Sequence, residues 1–468
     1  MSMKSDPLHL HDTIVAVSTP PGRGGIGVVR LSGPQAKAAA LSLFRFGHEA
    51  VARDTVESHR MYYGWVCDGD ARLDDGYLVW FESPNTFTGE DIVELQLHGS
   101  PRVLEQVVRI CLKADRDVRL AEAGEFSKRA FLNGKIDLTQ AEGIIDLIDA
   151  KTDAAARLAT QQKSGKLGEL IRTGRTVLAF WLAHVEALLD FPEDQVPEIE
   201  TEKYDGDLGK VQTDLTELLN RSAHAWVYRD GLKVTLVGAP NMGKSSLFNR
   251  LLDRDRAIVS EISGTTRDVL EEGVDIDGVP VVFTDTAGIT ESEDRLERLG
   301  IERSLKAIAE AELLLILLDS TDPASTLTAF HASLTADARE IVMTKPAIVV
   351  HNKTDQSGLS ERREAGQIWL SAQADRGVDA LRQMIVENYR IADRDQDTPM
   401  LTNLRHHEAI RQALAGLNQA IENRRLGLGW DVIAHELREA VEALSAVTGE
   451  SVDADLHDQI FSRFCIGK

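Results

Sequence analysis

Cysteine is scarce in this chain. Only Cys67, Cys111 and Cys465 occur among its 468 residues, and they lie far apart. A disulfide framework needs several paired cysteines, and a Cys-x-x-Cys metal site needs closely spaced ones. Both are excluded, and we expect a protein of the reducing cytoplasm.

Long apolar segments are also missing. The longest aliphatic run covers residues 313–318, far short of the roughly 20 residues that cross a bilayer. The N-terminal stretch MSMKSDPLHLHD has neither the apolar core of an export signal nor the Arg/Ser-rich character of an organelle signal. No membrane association is expected.

The chain has fewer basic than acidic residues. It contains 52 Lys and Arg and 75 Asp and Glu, which gives a net charge of −23. Proteins that hold nucleic acid by many phosphate contacts of their own are usually basic. The composition therefore excludes a protein that binds nucleic acid nonspecifically over a broad surface. Binding through a local basic patch or through a basic partner protein is compatible with it.

Three kinds of pattern follow one another along the chain. Residues 13–120 are mostly short β-rich runs with one predicted helix over 101–113. Residues 125–226 and 404–463 show the three- and four-residue apolar spacing of helices. Between 231 and 390, near-continuous apolar strands such as LLLILLD alternate with helices, which is typical of a parallel sheet buried on both faces.

These patterns predict a multidomain α/β and α protein. We expect an α+β domain over residues 1–122, a helical domain over 123–228 and 389–468, and an α/β domain over 229–388. The last is inserted into the helical domain, and its mostly parallel sheet is flanked by helices.

The stretch Gly238-Ala-Pro-Asn-Met-Gly-Lys-Ser245 joins a predicted strand to a predicted helix. Glycines let backbone amides close around phosphate oxygens, and the helix N-terminus adds partial positive charge. In this context Lys244 can reach the β- and γ-phosphates, and Ser245 can hold Mg²⁺.

Further motifs follow later strands in order. They are Asp285-Thr-Ala-Gly288, Asn352-Lys-Thr-Asp355 and Ser371-Ala-Gln373. The Asp355 carboxylate can accept both N–H groups of guanine, which adenine cannot match. The set predicts that residues 229–388 form a Ras-like P-loop domain with a guanine-nucleotide site for GTP, and Thr266 is the predicted switch threonine for Mg²⁺.

The residues predicted to contact GTP are Asn241, Met242, Gly243, Lys244, Ser245, Ser246, Ser260, Glu261, Ile262, Ser263, Gly264, Thr265, Thr266, Asp285, Thr286, Ala287, Gly288, Asn352, Lys353, Asp355, Ser371, Ala372 and Gln373.

One expected catalytic group is missing. Ras-like proteins place a glutamine after the Asp-x-x-Gly motif to orient the attacking water, and here that position is Ile289. The missing parts must be supplied differently.

The whole chain resembles the tRNA modification GTPases called MnmE or TrmE. The resemblance rests on DTIVAVSTPPGRGGIGVVRLSG, NTFTGEDIVELQLHG, AGEFSKRAFLNGKIDLTQAEGIIDLIDA, the nucleotide motifs and the terminal CIGK. It implies a hydrolase acting on GTP that takes part in tRNA wobble uridine modification.

The resemblance also implies how GTP is hydrolysed. Members use K⁺, and its ligands would be Asn241, Ser260, Ile262 by its carbonyl, and Thr265. The cation would stand where an arginine finger otherwise brings charge. Glu297, on a matching motif position, would orient water, although its residue pattern alone fits a solvated helix residue. Activation requires the two GTPase domains of a dimer to meet.

For the N-terminal domain the resemblance implies dimerisation and binding of a one-carbon donor, 5,10-methylene- or 5-formyl-tetrahydrofolate. The matching contact residues are Arg30, Glu94, Lys135 and Lys468. Two cations suit the glutamyl carboxylates of folate, and a carboxylate suits the donor edge of the pterin. Each residue also reads as an ordinary surface charge or ion-pair partner.

The implied partner is a flavoprotein, MnmG or GidA, which would form a heterotetramer with the homodimer. Together they would add a carboxymethylaminomethyl or aminomethyl group to carbon 5 of the wobble uridine, with tRNA bound mainly through the complex. The alternative is a regulatory or ribosome-assembly GTPase switch. Such a switch has no reason to bind folate, so a folate titration separates the two.

The terminal Cys465 has several readings. A prenylation box is excluded because the last residue is Lys468 and no polybasic stretch precedes it. A frayed tail is the default, but the resemblance places Lys468 on a folate contact. We therefore expect Cys465 to act in the modification step, as a nucleophile or proton carrier, with Gly467 allowing close backbone approach.

A second glycine motif, Gly22-Arg-Gly-Gly-Ile-Gly27, matches a dinucleotide fingerprint. Because VVRLSG follows and reads as a strand rather than a helix, we expect a glycine-rich loop between strands. The pairs His406-His407 and His435-Glu436 lack metal-ligand spacing, and we expect them on helix surfaces.

Overall fold

The structure, a computed structural model, describes residues 12–48, 52–191, 197–253, 257–258, 271–285, 305–391, 398–451, 454–462 and 464–467. The chain divides into two compact units. Unit 1 comprises Met1–Ile145, Lys163–Ala179 and Val441–Lys468, and unit 2 comprises Asp146–Gln162 and Phe180–Ala440. The four segments expected from sequence patterns remain a prediction.

Unit 1 is built on a seven-stranded sheet of order β3-β4-β5-β6-β2-β1-β7. Neighbouring strands are antiparallel except for β1 and β7, which are parallel. Its strands are β1 (Thr13–Val17), β2 (Gly24–Ser32), β3 (Phe44–Phe46), β4 (Met61–Asp68), β5 (Ala71–Phe81), β6 (Ile92–Gly99) and β7 (Val118–Leu120).

Unit 2 contains an eight-stranded sheet of order β14-β15-β13-β12-β8-β11-β10-β9. The run from β15 to β11 is parallel, and antiparallel strands are added at both edges. Its strands are β8 (Leu232–Val237), β9 (Ala257–Ile258), β10 (Glu271–Ile276), β11 (Val279–Asp285), β12 (Leu313–Asp319), β13 (Ala347–Asn352), β14 (Arg362–Glu364) and β15 (Gln367–Trp369).

Helices cover much of the remaining described chain, besides a 3₁₀ helix at Arg53–Thr55. They are α1 (Ala36–Leu43), α2 (Pro101–Ala114), α3 (Glu125–Leu132), α4 (Leu138–Ile148), α5 (Asp153–Lys163), α6 (Lys166–Asp190), α7 (Thr201–Arg221), α8 (Val227–Asp230), α9 (Lys244–Asp253), α10 (305–310), α11 (Leu327–Ser333), α12 (Ala336–Thr344), α13 (Thr354–Ser357), α14 (Val378–Val386), α15 (Leu404–Arg425), α16 (Trp430–Thr448) and α17 (Ala454–Phe461).

One face of the unit 1 sheet is covered by α1 and α2. Alternate strand residues such as Val29 and Leu31 point into this core, as the two-residue period of a strand requires. From α2 come Leu104, Val107 and Cys111, spaced three and four residues apart. The helix α2 was predicted correctly, whereas α1 was missed because its short Ala-rich sequence carries little periodicity.

The opposite face of this sheet carries a buried ion network centred on Arg129 of α3. The Arg129 side chain is 1% exposed and its guanidinium contacts the carboxylates of Asp12, Glu90 and Glu125. Arg119 adds a second guanidinium on Asp12 and Glu125. A buried charge is tolerated only when it is paired and hydrogen-bonded, so the network specifies how α3 lies on the sheet.

The central strand of unit 2 is buried on both faces, as its apolar run predicts. In β12, Leu315 and Leu317 belong to one core with β8, β11 and β13, whereas Leu314, Ile316 and Leu318 belong to the core on the other side. The predicted fold class, an α+β part, a helical part and a P-loop domain with a mostly parallel sheet, is confirmed.

Helices α7 and α15 form much of the helical part of unit 2. Each buries an apolar stripe, which includes Leu208 and Leu215 from α7 and Ile410 and Leu417 from α15. Among the described helices, none combines the length and apolar character needed to span a bilayer.

The segment after the glycine motif is a strand, β2, as expected, and no helix of the kind that dinucleotide binding needs follows there. The expectation that the whole motif forms a loop was wrong, because Gly24 and Gly27 already lie within β2. The expectation for His406 was wrong. Its side chain is fully buried in α15 and contacts Arg405, because it occupies an inward position of the helical period.

Replacing Arg129 by Met should destabilise unit 1 by about 3 kcal/mol or more, because three carboxylates lose their shared cation in a buried setting. The measurement is the free energy of unfolding from a denaturant titration, followed by a probe in unit 1. The matched control is Arg116→Met. The Arg116 side chain is 94% exposed, so the free energy should change by no more than about 0.5 kcal/mol.

Acid denaturation gives an independent readout of the same network. Burial alone would raise the pKa values of Asp12 and Glu125, but hydrogen bonds and the positive charges of Arg119 and Arg129 outweigh it and lower both. A carboxyl with a lowered folded-state pKa stabilises the fold above its unfolded pKa of about 4 and loses that contribution as pH falls. If the Arg129→Met variant kept the stability and the acid sensitivity of the wild type, the stabilising role of this ion network would be contradicted.

Candidate functional site: a guanine-nucleotide pocket in unit 2

The phosphate loop, residues 238–243, lies between the end of β8 and the start of α9. Gly243 has a φ of 87° and faces a side chain so closely that a Cβ there would lie 2.3 Å from Nδ2 of Asn352. Only glycine fits this position. The loop thus has the strand–loop–helix context in which a Gly-x₄-Gly-Lys-Ser stretch binds phosphate.

Lys244 begins α9 and is 9% exposed. Its ammonium group donates to the carbonyl oxygens of Gly238 at 2.8 Å and Ala239 at 3.1 Å. These bonds hold the charge against the loop backbone. An anionic phosphate oxygen is a stronger partner for an ammonium than a neutral carbonyl, so the arrangement suits capture of a nucleotide phosphate.

Asn352 ends β13 and joins three loops through one buried amide. Its Nδ2 donates to the carbonyl oxygen of Met242 at 3.0 Å, and its Oδ1 accepts the N–H of Ala372 at 3.0 Å. The Asn-Lys-x-Asp loop, the phosphate loop and the Ser371–Gln373 loop are therefore fastened together. Mutual placement of these loops is what a base-and-phosphate site requires.

Asp355 is held from one side by Ser371, whose hydroxyl donates to Oδ1 of Asp355 at 2.6 Å. The same hydroxyl accepts the N–H of Ala374 at 3.0 Å. The orientation of the exposed Asp355 carboxylate is thus set by a buried serine. An ionised carboxylate with free lone pairs is the group that can accept the two N–H donors of a guanine edge.

Asp285 ends β11, which runs parallel to β8, so the Asp-x-x-Gly motif starts at the same sheet edge as the phosphate loop. The remainder of that motif, Thr286, Ala287 and Gly288, lies outside the described residues. So do the other predicted switch, cation and water-positioning residues: Ser260, Glu261, Ile262, Ser263, Gly264, Thr265, Thr266, Ile289 and Glu297.

Of the residues matched to folate contacts, Arg30 and Glu94 lie opposite each other on β2 and β6. They form an ion pair at 2.8 Å, with Arg30 also 5.7 Å from the ring centre of Phe126. Lys135 donates to the carbonyl oxygen of Pro84 at 2.9 Å. Lys468 lies outside the described residues.

Cys465 lies in a tail anchored on unit 1. Phe464 is buried against Phe461, Ile466 bridges to Ala123, and a Cβ on Gly467 would lie 2.2 Å from the carbonyl oxygen of Val17. The thiol is exposed. It lines a cavity of about 720 Å³ together with α2, the end of β1 and the loop 19–22.

Sequence reasoning missed Asp319, the last residue of β12. Its carboxylate pairs with Lys353 of the Asn-Lys-x-Asp loop at 2.5 Å. In the sequence, Asp319 is visible only as an acidic residue at the end of an apolar strand. Many strands end in this way without any functional role.

A phosphate loop after a parallel strand, tied by an Asn-Lys-x-Asp asparagine to a Ser-Ala loop, defines a P-loop protein of the guanine-nucleotide-binding class. Two family models match this chain, and together they cover most of its length. The model described as MnmE helical domain matches residues 138–465, and the one described as GTP-binding protein TrmE N-terminus matches residues 13–135.

Curated relatives agree along the whole length. The tRNA modification GTPase MnmE of Heliobacterium modesticaldum is 40% identical and covers 98% of this chain and 99% of the relative. Its counterpart from Roseiflexus castenholzii is 41% identical, with 98% and 99% covered. The chain belongs to the tRNA modification GTPase MnmE family.

Among solved structures, Aquifex aeolicus Era bound to GDP and aluminium fluoride is 25% identical. It matches over 39% of this chain and 65% of that chain, with a TM-score of 0.27. At so low a score the likeness adds nothing to the family assignment.

Proposed function

We propose that this chain binds and hydrolyses GTP with Mg²⁺ as part of the modification of tRNA wobble uridines. The observation that carries the proposal is the fastening of three nucleotide loops by Asn352, in a chain that matches the MnmE family from end to end. Ser245, which follows Lys244 at the start of α9, would supply its hydroxyl to Mg²⁺. Thr266 would supply the second protein ligand.

The partner in this proposal is a flavoprotein, MnmG or GidA, and the chain itself is a homodimer. With a net charge of −23, the chain is unsuited to broad contact with a nucleic-acid backbone, so the partner supplies most of the surface that binds tRNA. The product is a carboxymethylaminomethyl or aminomethyl group on carbon 5 of the uridine.

The one-carbon donor is proposed to be 5,10-methylene- or 5-formyl-tetrahydrofolate, bound in unit 1. Arg30 and Glu94 support this in one respect, since both side chains are partly exposed at 23% and 16%. They already pair with each other, so a folate would take up donors and acceptors that the pair leaves available. Lys135 and Lys468 would supply the remaining positive charge.

The whole proposal is tested by mass spectrometry of wobble uridines. Cells lacking this chain should lose the carbon 5 group and regain it when the chain is expressed. Unchanged nucleosides in the deficient cells would rule out the modification role. If purified chain also failed to bind tetrahydrofolate in a titration, the switch-type GTPase would become the better description.

K⁺ is proposed as the charge that replaces an arginine finger. Asn241, one of its proposed ligands, is an exposed loop residue at a φ of 64°, a left-handed conformation that asparagine adopts more readily than most residues, and its side-chain oxygen is the kind of ligand that a monovalent cation takes. Ser260, the carbonyl of Ile262 and Thr265 would complete the site.

GTP turnover should therefore fall at least about tenfold when K⁺ is replaced by Na⁺ at equal ionic strength, because a transition-state charge is lost. Turnover is measured by phosphate release, and GDP affinity in the two salts is the control that should stay equal. Equal turnover rates in K⁺ and Na⁺ would remove the K⁺ assignment.

Glu297 is proposed to orient the attacking water. The variant Glu297→Ala should lower kcat for GTP by about a hundredfold, the usual scale of a lost proton-handling group, and leave GDP affinity unchanged. Glu291→Ala, which removes an acid from the same segment, is the matched control and should keep wild-type kcat. A parallel loss of kcat and affinity in the Glu297 variant would indicate a structural role instead.

Cys465 is proposed to act at the uracil as a nucleophile or proton carrier. Cys465 is exposed, while Phe464 is buried and Ile466 bridges to Ala123 through its backbone, which is the arrangement a reacting group in a tail needs. The cavity of about 720 Å³ that it lines is of the size that takes small-molecule ligands.

The variant Cys465→Ser should abolish uridine modification and leave GTP hydrolysis intact, since the two sites use different residues. Modification is scored by nucleoside mass spectrometry and hydrolysis by phosphate release. Ser462→Ala, in the same tail, is the control and should retain both activities. Normal modification by the serine variant would return Cys465 to a structural role.

A further inference from the structure

The neighbouring strands β12 and β13 end together at the nucleotide edge of the unit 2 sheet. Their register pairs Asp319 with Asn352, the residue that fastens the three loops. Asp319 therefore lies one strand away from the Asn-Lys-x-Asp loop, and its side chain can reach across the strand ends.

The Asp319 side chain contacts Lys353. Lys353 has a φ of 66°, a left-handed backbone conformation that is strained for a lysine. Its ammonium group lies 2.5 Å from Oδ2 of Asp319, with both side chains largely shielded, at 26% and 14% exposure. The strained backbone thus directs the lysine stem toward β12, and the ion pair holds it there.

The Asp319 carboxylate is itself fixed. Its Oδ1 accepts from the N–H of Thr321 at 2.9 Å and from the hydroxyl of Thr321 at 2.6 Å. Burial alone would raise the pKa of Asp319, but the hydrogen bonds from Lys353 and Thr321 outweigh it and lower the pKa. The carboxylate is therefore ionised at neutral pH, as an ion-pair partner must be.

The same residue is connected to the phosphate loop. The backbone N–H of Asp319 donates to the Ser325 hydroxyl at 2.9 Å, and that hydroxyl lies 3.8 Å from the sulfur of Met242. Met242 is also the residue whose carbonyl accepts from Asn352. Asp319 thus belongs to a continuous set of contacts that surrounds the base-binding loop.

We propose that Asp319 is a positioning residue for guanine-nucleotide binding, which holds the Lys353 stem in place as one wall of the base pocket. The inference rests on the proposed function of this pocket in binding GTP. A restrained lysine loses less side-chain freedom when the nucleotide arrives. An unrestrained lysine must be ordered when the nucleotide binds, and the side-chain freedom lost at that step weakens the affinity.

The variant Asp319→Asn keeps the size of the side chain and an acceptor for Thr321, but loses the charge that holds Lys353. Its Kd for GDP should rise about fivefold, measured by calorimetry on the full chain. For GTP hydrolysis, KM should rise by a similar factor while kcat at saturation stays within about twofold, because nothing at the γ-phosphate changes.

The matched control is Asp322→Asn. Asp322 lies in the same loop and accepts the N–H of Ala324 at 2.9 Å, so it tests loss of an acid and a turn contact without touching Lys353. Its GDP affinity should equal that of the wild type. An equal loss in both variants would show that the loop as a whole matters, and would overturn the specific role of Asp319.

A double-mutant cycle with Lys353→Met separates positioning from general damage. In the Lys353→Met background, Asp319→Asn should weaken GDP binding no further, whereas an independent fivefold loss would contradict the proposal. Lys353→Met alone should weaken GDP binding by at least as much as Asp319→Asn. Unchanged binding in Lys353→Met overturns the proposal even if Asp319→Asn does not fold.

The outcomes also distinguish this inference from the proposed function. If the folded wild-type chain bound no GDP, the proposed function would fail. If the wild type bound GDP and Asp319→Asn bound it equally well, only the positioning role would fail.

Discussion

The nucleotide site depends on one buried amide, the side chain of Asn352. A buried amide must satisfy its donor and acceptor, and here it does so on two different loops, at Met242 and Ala372. Each of those backbone groups would be left unpaired if the amide moved. The phosphate loop, the base-recognition loop and the Ser-Ala loop can therefore form only together. Gly243 meets the same amide at a distance that leaves no room for a side chain, so the phosphate motif and the guanine motif impose a joint constraint.

Much of this arrangement was predictable from the sequence, because parallel strands buried on both faces are continuous apolar runs and the nucleotide motifs follow their ends. The strands β8, β11, β12, β13 and β15 were anticipated in this way. The strand β10 was not, since EEGVDI at Glu271–Ile276 is largely polar and joins the sheet by pairing with β11. The pair of Asp319 and Lys353 was equally hidden, because 34 residues separate its members and only the strand register brings them together.

Unit 1 shows how a family motif can be structural. The string AGEFSKRAFLNGK is among those that carry the family resemblance, yet its Glu125 and Arg129 pair with each other inside the fold, and Arg129 also contacts Asp12 and Glu90. Neither partner is near in sequence, so no local pattern could reveal the network. Removal of Arg129 leaves largely buried carboxylates without the cation that they share. Burial therefore distinguishes the charged residues of such a string that stabilise the fold from those that can bind a ligand. By this criterion the exposed Lys135 is a better candidate for ligand binding than the buried Arg129.

Buried contacts also fix the C-terminal tail around Cys465. A free chain end is mobile by default, but Phe464 is buried and Gly467 approaches the backbone of β1 more closely than any other residue type could. Between these two anchors the chain turns Cys465 outward, toward the cavity beside α2. The anchors make the position of the thiol a property of the fold rather than of a loose end. A thiol that is exposed yet held in one place is suited to chemistry, because reaction requires access together with a fixed approach.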